Sequence, residues 1–217
     1  MKMVETAHPP LSTTAFNAHK TLVLNSDLTP LEYPLYKLSA EDTVKDMFLE
    51  RFFVVEWSDV YAHSIDFEMR LPSVVALRKY ASQKNLYGVP ACNIYNLFVR
   101  DGGLCQYSGE PLRMNSPNPV VQATIDHVIP KAQGGLLDWN NVVLASQELN
   151  NRKGNQTPAQ FGLFPKTLPW EPRGIDLLYL WLTQEGLDTM PEAWQEYLQL
   201  RPSSKVKRVL DQLAIAA

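Results

Sequence analysis

Residues 124–154, TIDHVIPKAQGGLLDWNNVVLASQELNNRKG, decide the fold. The stretch opens on an apolar, β-like run that ends in Asp126-His127. A turn follows through Pro130-Lys131 and Gly134-Gly135, then Trp139-Asn140-Asn141 and a second β-like run from Val142. An Asn-rich, basic helix start carrying Asn150, Asn151, Arg152 and Lys153 completes it. This order of residue types supplies a base, a loop to hold it, oxygen ligands for a hard cation, and positive charge for phosphate. It suits hydrolysis of a phosphodiester with a single metal ion.

The same residues resemble the HNH endonuclease family, whose ββα-metal core reads His, then Asn, then His or Asn. Those positions correspond to His127, Asn141 and Asn150. Val128-Ile129-Pro130-Lys131 with Gly134-Gly135 looks like the family's inter-strand loop, and Asn141-Val142-Val143-Leu144 like its second strand. Asn150 to Pro158 is similar to its helix and exit. Upstream, Asn96 to Gly102 and Cys105-Gln106-Tyr107-Ser108-Gly109 fit the approach to a first zinc knuckle. The resemblance spans about Asn93 to Phe164, with a similar lead-in from near Thr21.

One departure stands out. Many relatives carry a structural zinc on two Cys-x-x-Cys pairs, which supply four ligands at close spacing. The equivalent positions here are Cys105, Ser108, Ser146 and Leu149, so no structural zinc is expected. Such a zinc contributes folding free energy. Without it the flanking segments are expected to hold the core, with Cys105 as a small buried residue.

Composition is that of an ordinary globular protein: 217 residues, 45% hydrophobic and 20% charged. No apolar run approaches the length needed to span a bilayer, and residues 1–20 lack the apolar core of a secretory signal. With two cysteines, Cys92 and Cys105, a cytoplasmic setting in a bacterial or phage-infected cell is expected. The net charge of −3 places any phosphate contact in a local basic patch.

The fold class expected is α+β: a ββα-metal nuclease core with an N-terminal α+β lead-in and a C-terminal helical extension. The divisions are a flexible segment 1–20, the lead-in 21–92, the core 93–164 and the extension 165–217. In the lead-in, Leu22–Leu24 reads as a strand. Ser39 caps a helix with Val44, Met47, Phe48 and Phe52 on its buried face. Phe53–Trp57 and Phe67–Arg70 read as extended, and Pro72 opens a helix bearing Val74, Val75, Leu77 and Tyr80. Phe52, Phe53, Trp57, Tyr61 and Phe67 are read as core, and His63 as exposed. In the extension, helices are expected over 174–185, from Pro191 with Trp194, and from Ser203 with Val206, Val209, Leu210 and Leu213.

The resemblance implies a division of labour. His127 is the general base, and Asp126 and Asn150 hold one Mg²⁺ or Mn²⁺ through oxygen. Asn141, favoured over Asn140 by the family register, cross-links the loop that orients His127. Lys153, then Arg152, with Lys131 and Arg100, contact DNA phosphate, and the helix from Ser146 points its N-terminal dipole at them. The implied partner is double-stranded DNA, with the C-terminal helices as a candidate face for a protein partner or self-association. The competing readings are a catalytically silent, HNH-derived nucleic-acid-binding or assembly module of a phage or defence complex, and RNA rather than DNA as substrate.

Overall fold

A computed structural model describes residues 13–64, 67–204, 206 and 207. In chain order its principal elements are α1 (Thr13–Ala18), β1 (Lys20–Leu24), β2 (Lys37–Ser39), α2 (Ala40–Phe48), β3 (Phe52–Ser64), β4 (Phe67–Leu77), α3 (Lys84–Tyr87) and α4 (Ile94–Arg100). There follow β5 (Ala123–His127), β6 (Val142–Ser146), α5 (Gln147–Lys153), α6 (Pro158–Phe161), α7 (Gly174–Glu185) and α8 (Glu192–Gln195). The α+β class holds. Two compact units divide the described residues: one takes 13–31, those of 35–82 and 190–199, the other 32–34, 83–189 and those from Leu200. The described part of 165–217, expected as one helical extension, is thus shared between them. Residues 1–12 of the N-terminal segment, and Val209, Leu210 and Leu213 of the last expected helix, lie outside the described residues.

The first unit is a four-stranded sheet ordered β2-β1-β4-β3, with β1 and β4 parallel and the other pairs antiparallel. The helix expected to open at Pro72 is instead the centre of β4. Leu71 to Ala76 are all buried between two neighbouring strands. A short, continuous apolar run reads equally as a buried strand or a buried helix turn. The β-branched pair Val74-Val75 and a central place in the sheet decide for the strand. Pro72 sits where the pairing of β4 with β3 slips register. Its carbonyl accepts from Thr21 Oγ1 at 2.8 Å and His19 Nε2 at 3.0 Å.

α2 starts on Ser39, whose hydroxyl accepts from the Asp42 amide at 3.1 Å. Its buried residues are Ala40 and Thr43, while Phe48 is 68% exposed and Phe52 already belongs to β3. Of the aromatics read as core, Phe52 is buried, whereas Phe53, Trp57 and Phe67 are exposed. They lie on an edge hairpin, where alternate side chains face water. α8 fastens to the same sheet through the Trp194 indole, which donates to the Ser73 carbonyl at 2.9 Å.

The second unit is built on the β5–β6 hairpin, paired in register from Ala123 with Ser146 to His127 with Val142. All five residues of β6 are buried. α4 and α5 both pack against the hairpin, and Leu177 of α7 joins its core with Leu97, Cys105, Leu112, Trp139 and Val142–Ala145. Fully burying a side chain such as Leu144 is worth roughly 1.5–3 kcal/mol, so β6 is the stable rail of the unit.

The turn that would carry a zinc knuckle is tied by hydrogen bonds. Gly109 N donates to Cys105 O at 2.7 Å, Gln106 N to Leu144 O at 2.8 Å, and Ser146 N to the Cys105 sulfur at 3.4 Å. Burial pushes the Cys105 thiol up, but hydrogen bonds from Ser108, Ser146 and Tyr107 outweigh it and bring the thiol below its ordinary value.

Candidate active site

β5 ends on Asp126 and His127, whose side chains leave opposite faces of the strand. Asp126 is buried and His127 half-buried. The Nε2 of His127 is buried, with no hydrogen-bond partner among the described residues. Burial, with the charges of Lys131 and Lys153, draws its pKa below the ordinary value despite the opposing pull of Asp126 and Asp138. The imidazole is therefore neutral at pH 7, in the form that accepts a proton.

The loop after His127 is fixed from the start of β6. Asn141 Oδ1 accepts from the Ile129 amide at 2.9 Å, and its Nδ2 donates to the carbonyls of Ile129 at 3.1 Å and Leu136 at 2.9 Å. The Val128 amide adds a bond to the Asn141 carbonyl at 2.8 Å. Gly135 lets the loop close this tightly, since a Cβ there would lie 1.7 Å from the Ile129 carbonyl oxygen. Asn140, the rival position, is exposed.

α5 begins at Ser146, whose hydroxyl caps it by accepting from the Leu149 amide. Ser146 pairs with Ala123, at the far end of the hairpin from His127. Four residues of strand separate those ends, about 13 Å. The helix runs back along β5, so its C-terminal end reaches His127, and the expected N-terminal dipole points away. The end that arrives favours cations. Asn150, midway, pins its amide nitrogen to Thr124 Oγ1 and the Ile125 carbonyl, both at 3.1 Å. Its amide oxygen remains as the acceptor end.

Lys153, the last residue of α5, is buried rather than presented to solvent. Its Nζ lies 3.1 Å from Asp126 Oδ1, 3.0 Å from Oδ2 and 2.7 Å from the His127 carbonyl oxygen. Sequence reasoning placed it on phosphate; here its charge balances Asp126. A second partner of that carboxylate went unnoticed in the sequence. The Tyr107 hydroxyl donates to Asp126 Oδ2 at 2.5 Å. Burial and the adjacent carboxylate push the Tyr107 pKa up, so this group stays a donor. Its only trace in the sequence was its place between Cys105 and Ser108.

Arg100 corrects a further expectation. It is 2% exposed, and all five of its N–H donors are used. They reach both oxygens of Asp101 and the carbonyls of Trp139, Trp170 and Val142 at 2.7–3.1 Å. It cannot also reach phosphate. Arg152 and Lys131 are exposed and remain able to do so.

The donors fit a hard divalent cation by type: a carboxylate at Asp126 and an amide oxygen at Asn150. Nearby, the buried Nε2 of His127 is left for a proton or a ligand. Among the described residues, no group of three His, Cys, Asp or Glu is placed to hold a metal. No helix among them is long and apolar enough to cross a membrane.

Two stretches of the chain match known families. Residues 21–85 match the family described as the HNH endonuclease-associated, N-terminal domain, and residues 105–159 match HNH endonuclease. The chain is 43% identical over 61 residues to the CRISPR-associated endonuclease Cas9 of Staphylococcus aureus. That match covers 27% of this chain and 6% of the length of Cas9. With a ββα hairpin-and-helix core at 123–153 inside the matched region, the segment 105–159 belongs to the HNH endonuclease family.

Proposed function

We propose that the protein is a metal-dependent endonuclease that hydrolyses phosphodiester bonds of double-stranded DNA, with His127 as general base. The observation that carries this reading is the His127 imidazole: neutral, half-buried, and with Nε2 free of protein partners among the described residues. Such a nitrogen can take a proton from an attacking water. The loop fastened by Asn141 limits how far the ring can drift, and a misplacement of about 1 Å can cost two orders of magnitude in rate. Family membership and the likeness to an endonuclease support nuclease chemistry.

Asp126 and the Asn150 amide oxygen are the residues that would hold one Mg²⁺ or Mn²⁺. Bound there, the ion would neutralise the phosphate and ease departure of the 3′ oxygen. Arg152 and Lys131, both exposed, would hold the flanking phosphates as salt-sensitive contacts.

Asp126→Ala is expected to raise the Mn²⁺ concentration needed for half-maximal cleavage steeply. An unchanged metal titration would remove Asp126 from the ligand set. One observation favours the silent-module reading: both oxygens of Asp126 already have partners in Lys153 and Tyr107.

A further inference from the structure

Asp126 is both the candidate metal ligand and the most thoroughly occupied carboxylate of the site. The side chains of Lys153 and Asp126 are 0% and 3% exposed, and the ammonium bridges both carboxylate oxygens. A buried carboxylate without a counter-charge is strongly unfavourable, and Lys153 supplies that charge. A cation binding the same oxygens would meet a like charge at contact distance. The two are therefore competitors for one group.

Three features make Lys153 the partner that moves. It is the last residue of α5, followed by Gly154 at φ 53°. Its stem is long and flexible. Its third contact is a backbone carbonyl, that of His127, a weaker partner than a phosphate oxygen. Tyr107 is the partner that stays. It lies in the turn tied to β6 and Ser146, its ring packs edge-on against Phe161, and its hydroxyl donates to Oδ2.

We propose that Lys153 is an internal counter-ion that competes with divalent cations for Asp126 and that a phosphodiester draws the ammonium away, so that metal and nucleic acid bind cooperatively. Tyr107 is then a positioning residue that keeps the carboxylate oriented during the exchange. This proposal rests on the metal-dependent reading above. It also accounts for an Asp126 whose oxygens are already taken in an otherwise well-formed site.

The test uses the full chain carrying His127→Ala, which binds without turnover, and measures Mn²⁺ affinity by calorimetry with and without a short DNA duplex. The duplex is expected to tighten Mn²⁺ binding about tenfold, a usual strength of coupling between sites. Phosphate oxygens joining the ion would also produce such coupling, so the deciding arm is Lys153→Gln without DNA. That change is expected to tighten Mn²⁺ binding by about the same factor and to remove most of the gain from DNA. Equal or weaker DNA-free affinity in a folded Lys153→Gln protein overturns the proposal.

Should that variant not fold, the unaltered protein without DNA decides. Lys153 is expected to resist reductive methylation in EDTA and to become reactive in saturating Mn²⁺, read by mass spectrometry. Protection that persists in Mn²⁺ overturns the counter-ion exchange. Mn²⁺ binding that is independent of DNA and of Lys153 sinks the exchange alone. No Mn²⁺ binding in any arm sinks the metal-dependent reading with it.

Discussion

Among the described residues the second unit holds two buried ion pairs, and they are built differently. At the end of α4, Arg100 and Asp101 are both nearly inaccessible. Every guanidinium donor is matched, three of the five by backbone carbonyls, and Asp101 Oδ2 also accepts from the Leu144 amide at 2.7 Å. At the end of β5, Asp126 is held by two side chains, Lys153 and Tyr107, beside an imidazole nitrogen with no partner among the described residues. The first pair is closed largely by backbone groups, the carbonyls of Trp139, Val142 and Trp170 and the Leu144 amide. The second is closed by side chains that can rearrange. On the proposed function the first is a structural pair and the second a working one, a distinction that burial alone does not make.

The largest effect is expected on the working side. His127→Ala should lower cleavage by about 10²–10⁴-fold, the usual contribution of a general base, with the thermal midpoint nearly unchanged. A variant that cleaves normally would show that another group takes the proton. On the structural side, Arg100→Met should cost about 3–5 kcal/mol, since it leaves Asp101 buried without its counter-charge. Urea unfolding reads this directly. A stability loss under 1 kcal/mol, joined to weaker DNA binding, would return Arg100 to the phosphate contacts.

Asn141→Ala lies between the two. It unties Ile129 and Leu136 from the β6 start, so it should cost about 1–3 kcal/mol for the groups left unpaired and slow cleavage as well. If only stability falls, the loop does not set the position of His127.

The smallest effect is a displaced pH profile. The pKa of His127 lies below the ordinary imidazole value because of burial and its two lysine neighbours. Protonation removes the base, so kcat/KM should stay level through neutral pH and decline only below roughly 6.5. An acid limb centred above that value would contradict a desolvated, neutral His127.

The α+β class and the ββα core were legible because Asp126-His127, the glycine turn, Asn141 and Asn150 fall at a spacing that is informative by order alone. The orientation of α5 was not legible, because a helix written after a strand says nothing of the direction in which it folds back. Nor was the fate of the cations. In sequence Arg100 and Lys153 look like any basic residue near a phosphate site; only the folded chain shows which meet carboxylates first. Tyr107 escaped because its contact spans from one turn to another strand. The error at Pro72–Leu77 has a different origin, since a fully buried central strand loses the alternation by which strands are recognised.

The most direct test of the central claim is plasmid cleavage by the purified, unaltered protein in Mg²⁺, Mn²⁺ or EDTA. Nicking or linearisation that requires the divalent ion and stops in EDTA is the predicted result. A well-folded protein that leaves plasmid intact in every metal, or that cleaves it equally in EDTA, would contradict a metal-dependent nuclease built on His127 and Asp126.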